Sequence, residues 1–182
     1  MGDRKLELLA GAGLVGLALL SGALDLRAGL QAWDEVVAVT PGEPLPEFSV
    51  AVDDGSVLHS AELRERVTML TFWATWCGAC NREMPTIVAL DEAYDDAELK
   101  IYGVNRDSGE PQLRRAQVEA HMQANSMRFA QIYDDGVLAR AFGVEQIPYM
   151  VLVDKRGEVR HLHLGQVSER SLRREVDALL AE

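Results

Sequence analysis

Cys77 and Cys80 are the only cysteines in the chain, and they stand three positions apart around Gly78 and Ala79. With no companions they cannot belong to a scaffold of several disulfides, so whatever these thiols do, they do as a pair. The run before them, Val67–Trp73 (VTMLTFW), is β-branched and aromatic, the pattern of a central strand buried on both faces. A helix is expected from the cysteines to about Tyr94, with Met84, Ile87, Val88 and Leu90 facing inward and Pro85 kinking it. Cys77 then falls at a helix N-terminus, where free backbone N–H groups and the macrodipole favour an anion. The thiolate is the nucleophilic form, and Cys80, one turn later, is within reach for closing a disulfide. That arrangement suits thiol-disulfide exchange: Cys77 attacks a disulfide, a mixed disulfide forms, and Cys80 displaces the captured group.

Other chemistries of a cysteine pair need more than this stretch supplies. A zinc or copper site would require further ligands, and His161 and His163, alternate residues of an expected strand, are the pair that would share one face. A peroxidase would need a Pro and Thr arranged ahead of the first cysteine to bind peroxide, and none are so placed. Met69, Met84 and Met150 fall within strand and helix patterns and read as core rather than as soft metal ligands.

Around this centre the chain alternates strand and helix. Phe48–Val52 and Val57–His59 flank the turn-rich Asp53–Ser56 and predict a hairpin. Strands are expected at Leu99–Val104, Phe129–Tyr133, Tyr149–Val153 and Val159–Leu164. Asp154–Gly157 joins the last two as a second hairpin. Helices are expected at Gln112–Ala124, at Val137–Phe142 with Gly143 closing it, and at Glu169–Leu180. The sum is an α/β fold, a mixed central sheet with helices on both faces.

With 182 residues the chain holds one ordinary domain and an appendage. Carboxylates outnumber Lys and Arg 29 to 18, which excludes nucleic acid as a partner because phosphate binding needs clustered cations. Leu8–Leu24 is free of charge and follows Arg4 and Lys5. It is long enough for a short spanning helix and slightly long for the core of a cleaved signal peptide. Either reading sends the remainder out of the cytoplasm. Gly11, Gly13 and Gly16, with Asp34 downstream, mimic a dinucleotide fingerprint, but no strand precedes them and no βαβ unit surrounds them. Residues 1–24 are therefore read as a signal anchor or signal peptide. Residues 25–43, which lead into Pro41, Gly42, Pro44 and Pro46, are read as an extended juxtamembrane linker, and residues 44–182 as the folded domain.

Thr71–Cys80 (TFWATWCGAC), Glu83, Pro85 and Gly143–Asp154 (GVEQIPYMVLVD) resemble the thioredoxin superfamily. More narrowly they are similar to the membrane-anchored, extracytoplasmic thiol-disulfide oxidoreductases of the TlpA/ResA type, over about Pro44–Leu180. The resemblance implies a thioredoxin fold with an added N-terminal β-hairpin. It makes Cys77 the attacking cysteine, Cys80 the resolving one, and their redox-active disulfide the sole redox group, with no other cofactor and no resident metal. It makes Pro148 a cis-proline facing the disulfide, so that Ile147, Pro148 and Trp76 bind substrate, and Glu83 an acid that shuttles a proton to or from Cys80. The implied partners are proteins carrying disulfides and a membrane electron donor, with the N-terminal helix held in the membrane and the bulk on the periplasmic side. The implied task is reduction of protein disulfides, as in cytochrome c maturation. Net oxidation of substrates, or handling of copper or zinc through Cys77, Cys80 and His161 or His163, are the alternatives. Two positions depart from the wider superfamily: Thr71 stands where cytoplasmic thioredoxins bury an aspartate, and Ala79 stands where proline is common.

Overall fold

A computed structural model describes residues 39–182. The expected anchor or signal peptide at residues 1–24, and the linker as far as residue 38, lie outside the described residues. Among the described residues no helix is long and apolar enough to cross a membrane.

Strands β1 (Ser49–Ala51) and β2 (Val57–His59) pair antiparallel and lead into a 3-10 turn at Ser60–Leu63. There follow β3 (Val67–Trp73), α1 (Gly78–Ala93), β4 (Leu99–Asn105), α2 (Pro111–Ala124), β5 (Ala130–Tyr133) and α3 (Val137–Ala141). The chain closes with β6 (Tyr149–Val153), β7 (Val159–Leu164) and α4 (Glu169–Leu180). The main sheet has the order β5-β4-β3-β6-β7. β3 pairs parallel with β4 and antiparallel with β6, and the β6–β7 hairpin completes a mixed sheet.

β3 is central because every one of its residues is apolar or threonine, and all of them are buried. Successive side chains leave opposite faces of a strand, so β3 feeds two cores. Val67, Met69 and Trp73 join α1, Val118 of α2 and Leu172, Val176 and Leu179 of α4. Leu70 and Phe72 join Phe48, Leu58, Leu63 and, from α3 and its end, Leu138 and Phe142. Each fully buried side chain of this size contributes about 1.5–3 kcal/mol. On the first face, the indole N–H of Trp73 donates to Oε1 of Gln131 at 3.0 Å. Gly103 makes room for this pair, since a Cβ there would come within 2.3 Å of the Gln131 amide oxygen.

Local chemistry sets the helix ends. Glu110 caps α2 by accepting from the Leu113 N–H at 2.9 Å, with Pro111 in the first turn where its missing donor costs nothing. Ser168 accepts from the Ser171 N–H and starts α4. α3 stops at Gly143, whose φ of 62° allows the Gly143 and Val144 N–H groups to turn back onto the Arg140 and Ala139 carbonyls. α1 continues as one helix through Pro85, which leaves the Asn81 carbonyl without its usual intrahelical donor.

The sequence reading ends the linker at residue 43, but residues 39–43 lie on the domain. The Gly42 N–H donates to the Val159 carbonyl at 2.7 Å, the Val159 N–H to the Glu43 carbonyl at 2.8 Å, and the Leu45 N–H to the Gly157 carbonyl at 2.9 Å. Val39 is buried in the second core. Nor is this stretch extended as expected: Pro41 and Gly42, the latter with φ of 94°, form a turn closed by the Glu43 N–H donating to the Thr40 carbonyl at 3.2 Å, and the turn lies against the edge strand β7.

Candidate active site

β3 ends at Trp73, and the chain crosses Ala74–Trp76 to reach α1. Asp107, just beyond β4, clamps this crossing: its carboxylate accepts from the Thr75 N–H at 3.0 Å and from the Thr75 hydroxyl at 2.8 Å. The Asn105 side-chain amide donates to the same carboxylate at 2.7 Å, and the Asp107 N–H returns to the Asn105 side chain. From within α1, the Asn81 side-chain amide donates to the Thr75 carbonyl at 3.1 Å. The loop before the cysteines is thus held from β4 and from α1.

Cys77 is the N-cap of α1, as the sequence predicts, and Cys77 and Cys80 form a disulfide with their Cα atoms 5.2 Å apart. The Cys80 N–H donates to Cys77 Sγ at 3.1 Å. Cys77 is 7% exposed and Cys80 1%, so an incoming sulfur meets Cys77 first. Beside it, Trp76 is 69% exposed, an unusual position for so large an apolar surface. The Ile147–Pro148 peptide is cis, and the Ile147 carbonyl oxygen lies 3.9 Å from Cys77 Sγ. The Gly165 N–H donates to the Pro148 carbonyl at 2.9 Å and ties this turn to the end of β7.

Glu83 stands one turn after Cys80 and is buried. Burial pushes its carboxyl above the usual carboxylate range, only partly opposed by the Val167 N–H, which donates to Oε1 at 2.9 Å, and by the nearby His163. A carboxyl so placed can hold a proton closer to neutral pH than one in water.

His161 and His163 do share one face of β7, but neither cysteine joins them. Among the described residues, the side chains whose ligating atoms converge there are His161, His163 and Glu175. The alternative of a copper or zinc site built from Cys77, Cys80 and His161 or His163 is therefore not assembled: the thiols are joined to each other at the start of α1, and the histidines meet Glu175 of α4. The three methionines of the sequence reading are buried core, as expected.

Residues 41–162 match the model of the AhpC/TSA family. The chain belongs to that family. The thiol-disulfide oxidoreductase ResA of Geobacillus thermodenitrificans (strain NG80-2) is 30% identical over 165 residues, covering 90% of this chain and 91% of the relative. Among solved structures, MTB dsbF is 28% identical with a TM-score of 0.64, covering 78% of this chain and 99% of that one. A thiol:disulfide interchange protein from Chlorobium tepidum TLS superposes with a TM-score of 0.67 at 24% identity, over 79% of this chain and 99% of that one, a likeness of fold. This AhpC/TSA-family chain has a thioredoxin-like fold and is a thiol-disulfide oxidoreductase.

The structure sets the Ile147 carbonyl, ahead of cis Pro148, beside Cys77 of the Cys77–Cys80 disulfide, leaves the adjacent Trp76 exposed, and buries Glu83 one turn after Cys80. Sequence reasoning missed Asp107 and Asn105, which hold the crossing loop, and Val167, which holds Glu83. Asp107 lies 32 residues from Thr75 and Val167 lies 84 from Glu83, so no local pattern marks these contacts, and Asn105 matters only through Asp107. Glu175 was also missed, one more polar residue of an amphipathic helix until α4 is laid against β7.

Proposed function

We propose that this chain reduces protein disulfides outside the cytoplasm, in a task of the cytochrome c maturation type, held at the membrane by its N-terminal apolar run. The observation that carries the reading is Cys77 Sγ at the first turn of α1, receiving the Cys80 N–H, with the Ile147 carbonyl at its side. When the disulfide is opened, that N–H and the helix dipole stabilise Cys77 as a thiolate. The thiolate attacks one sulfur of a substrate disulfide, forming a mixed disulfide and expelling one substrate thiolate. Cys80, deprotonated, then attacks Cys77 Sγ; the second substrate thiolate leaves and the Cys77–Cys80 disulfide is restored. Two electrons pass to the substrate, and two protons follow its thiolates. Glu83, a buried carboxyl one turn from Cys80, is suited to take the Cys80 proton during release. Trp76 and the Ile147–Pro148 backbone flank the sulfur and support docking of an extended peptide beside it. A membrane thiol donor returns the two electrons in each cycle.

The full chain, reduced with dithiothreitol and freed of it, should reduce a model protein disulfide stoichiometrically, and Cys77→Ala should not. Equal activity in Cys77→Ala would end the reading. Equilibration with glutathione tests direction, since a potential among the strong oxidants, near −120 mV rather than about −270 mV, would make the protein an oxidant. Cys80→Ser should retain the physiological partner as a mixed disulfide identifiable by mass.

A further inference from the structure

His161 and His163 are alternate residues of β7, so their side chains leave the same face of the strand. Their rings are parallel, with 3° between planes and 6.2 Å between centroids. Glu175 reaches them from α4, its Oε2 2.7 Å from Nε2 of His163. One ligating atom from each of the three residues lies within 4.8 Å of the other two. The side chains of His163 and Glu175 are 21% and 16% exposed, enough shelter to restrict their rotamers and enough opening to admit an ion. A hydrogen bond accounts for the approach of His163 to Glu175. It does not account for His161, whose imidazole makes no hydrogen bond among the described residues.

We propose that His161, His163 and Glu175 form a site for a divalent transition-metal ion of the zinc or copper class, independent of the two cysteines. Two imidazoles and one carboxylate suit zinc, copper or nickel, whereas calcium and magnesium take oxygen donors. Zinc holds nitrogen and carboxylate oxygen at about 2.0–2.2 Å, which sets neighbouring donors ~3.3 Å apart in a tetrahedron. The three donors lie within 4.8 Å of one another and the His163–Glu175 pair at 2.7 Å, so side-chain rotations that draw His161 in and part the other two close the set and convert the His163–Glu175 hydrogen bond into two metal bonds. Solvent completes the coordination. The ligands come from β7 and α4, so an occupied site ties the last strand to the last helix.

The test uses the untagged full chain with its disulfide closed, which leaves no thiol to bind metal. Zn²⁺ titrated calorimetrically should bind with a stoichiometry of one, and His161→Ala should weaken binding at least ~10-fold while leaving thiol-disulfide exchange by the reduced protein unchanged. If His161→Ala fails to fold, His161→Gln takes its place, with circular dichroism confirming the fold. X-ray absorption of the Zn²⁺-loaded protein should show two imidazoles and one oxygen carboxylate. No binding at millimolar Zn²⁺, equal binding by the His161 variant, or sulfur in the coordination shell would each overturn the proposal. Loss of exchange activity in Cys77→Ala bears only on the redox reading.

Discussion

Glu83 carries the clearest conflict between fold and chemistry at a single residue. Burial disfavours its charge more than the Val167 N–H and His163 favour it, so its folded-state pKa is raised. The sign follows from linkage: stability gained from holding Glu83 neutral is present below the ordinary carboxylate range and is lost as pH rises through the raised value. Glu83→Gln keeps an acceptor for the Val167 N–H and removes the charge. The oxidised variant should therefore melt above the parent at pH 8, and the difference should shrink toward pH 4. Thermal melts across that range check this, and a difference constant with pH would show that Glu83 is not strained by ionisation. If Glu83 also takes the Cys80 proton, the same variant should slow release of the mixed disulfide on the order of 10²-fold while leaving its formation unchanged. Stopped-flow mixing of the reduced protein with a disulfide substrate separates the two steps.

At the scale of elements, the reactive sulfur owes its position to the crossing from β3 to α1, and Asp107 is the residue that fixes that crossing. Asp107→Ala leaves the Thr75 N–H and the Asn105 amide without their acceptor in a largely buried place, at a cost of about 1–3 kcal/mol for each group left unpaired. The expected result is a lower denaturation midpoint together with a higher pKa of the Cys77 thiol in the reduced protein, read from ultraviolet thiolate absorbance. Asp107→Asn, which still accepts from Thr75, should recover part of both. A midpoint lowered with no change at the thiol would make Asp107 a purely structural residue.

The β6–β7 turn shows the opposite electrostatic case. Burial opposes the charge of Asp154, but the N–H groups of Glu158 and Arg156 and the guanidiniums of Arg160 and Arg156 outweigh it and hold the carboxyl below the usual carboxylate range. Stability from this group is present above the unfolded-state value and lost as pH falls through the depressed one. Asp154→Ala should cost about 2 kcal/mol at pH 7 and progressively less in acid, which urea unfolding at several pH values would reveal. An unchanging difference down to pH 2 would contradict the ion-pairing account.

On the scale of the whole molecule, what could be read in advance was whatever short-range pattern dictates. VTMLTFW declared a doubly buried strand, the cysteines declared a helix start, and Asp154–Gly157 declared a hairpin, because strand periodicity, capping and turn chemistry act over a few residues. Thr71–Cys80 with Ile147–Pro148 carried the fold through resemblance. Asp107 against Thr75, Glu175 against His163, and Gln131 filling the space over Gly103 were not legible, because each is a contact created by packing distant elements. Residues 39–43 belong to the same class: prolines and glycine read as an extended linker and say nothing of a turn laid against β7. Gly42 is the position that decides it, with φ of 94° and its N–H given to the Val159 carbonyl at 2.7 Å. Its Cβ direction is open, so Gly42→Ala meets only the backbone strain of that φ, about 1 kcal/mol. Gly42→Pro can neither adopt the conformation nor donate the hydrogen bond, so the segment must peel from the start of β7 and expose Val39. The proline variant should therefore unfold at clearly lower denaturant than the alanine variant, by about 2–3 kcal/mol relative to the parent. Amide exchange should accelerate at Val159, whose N–H loses the Glu43 carbonyl, and at Leu45. Unaltered protection at both residues would mean that this end of the domain is held by contacts other than the ladder to β7.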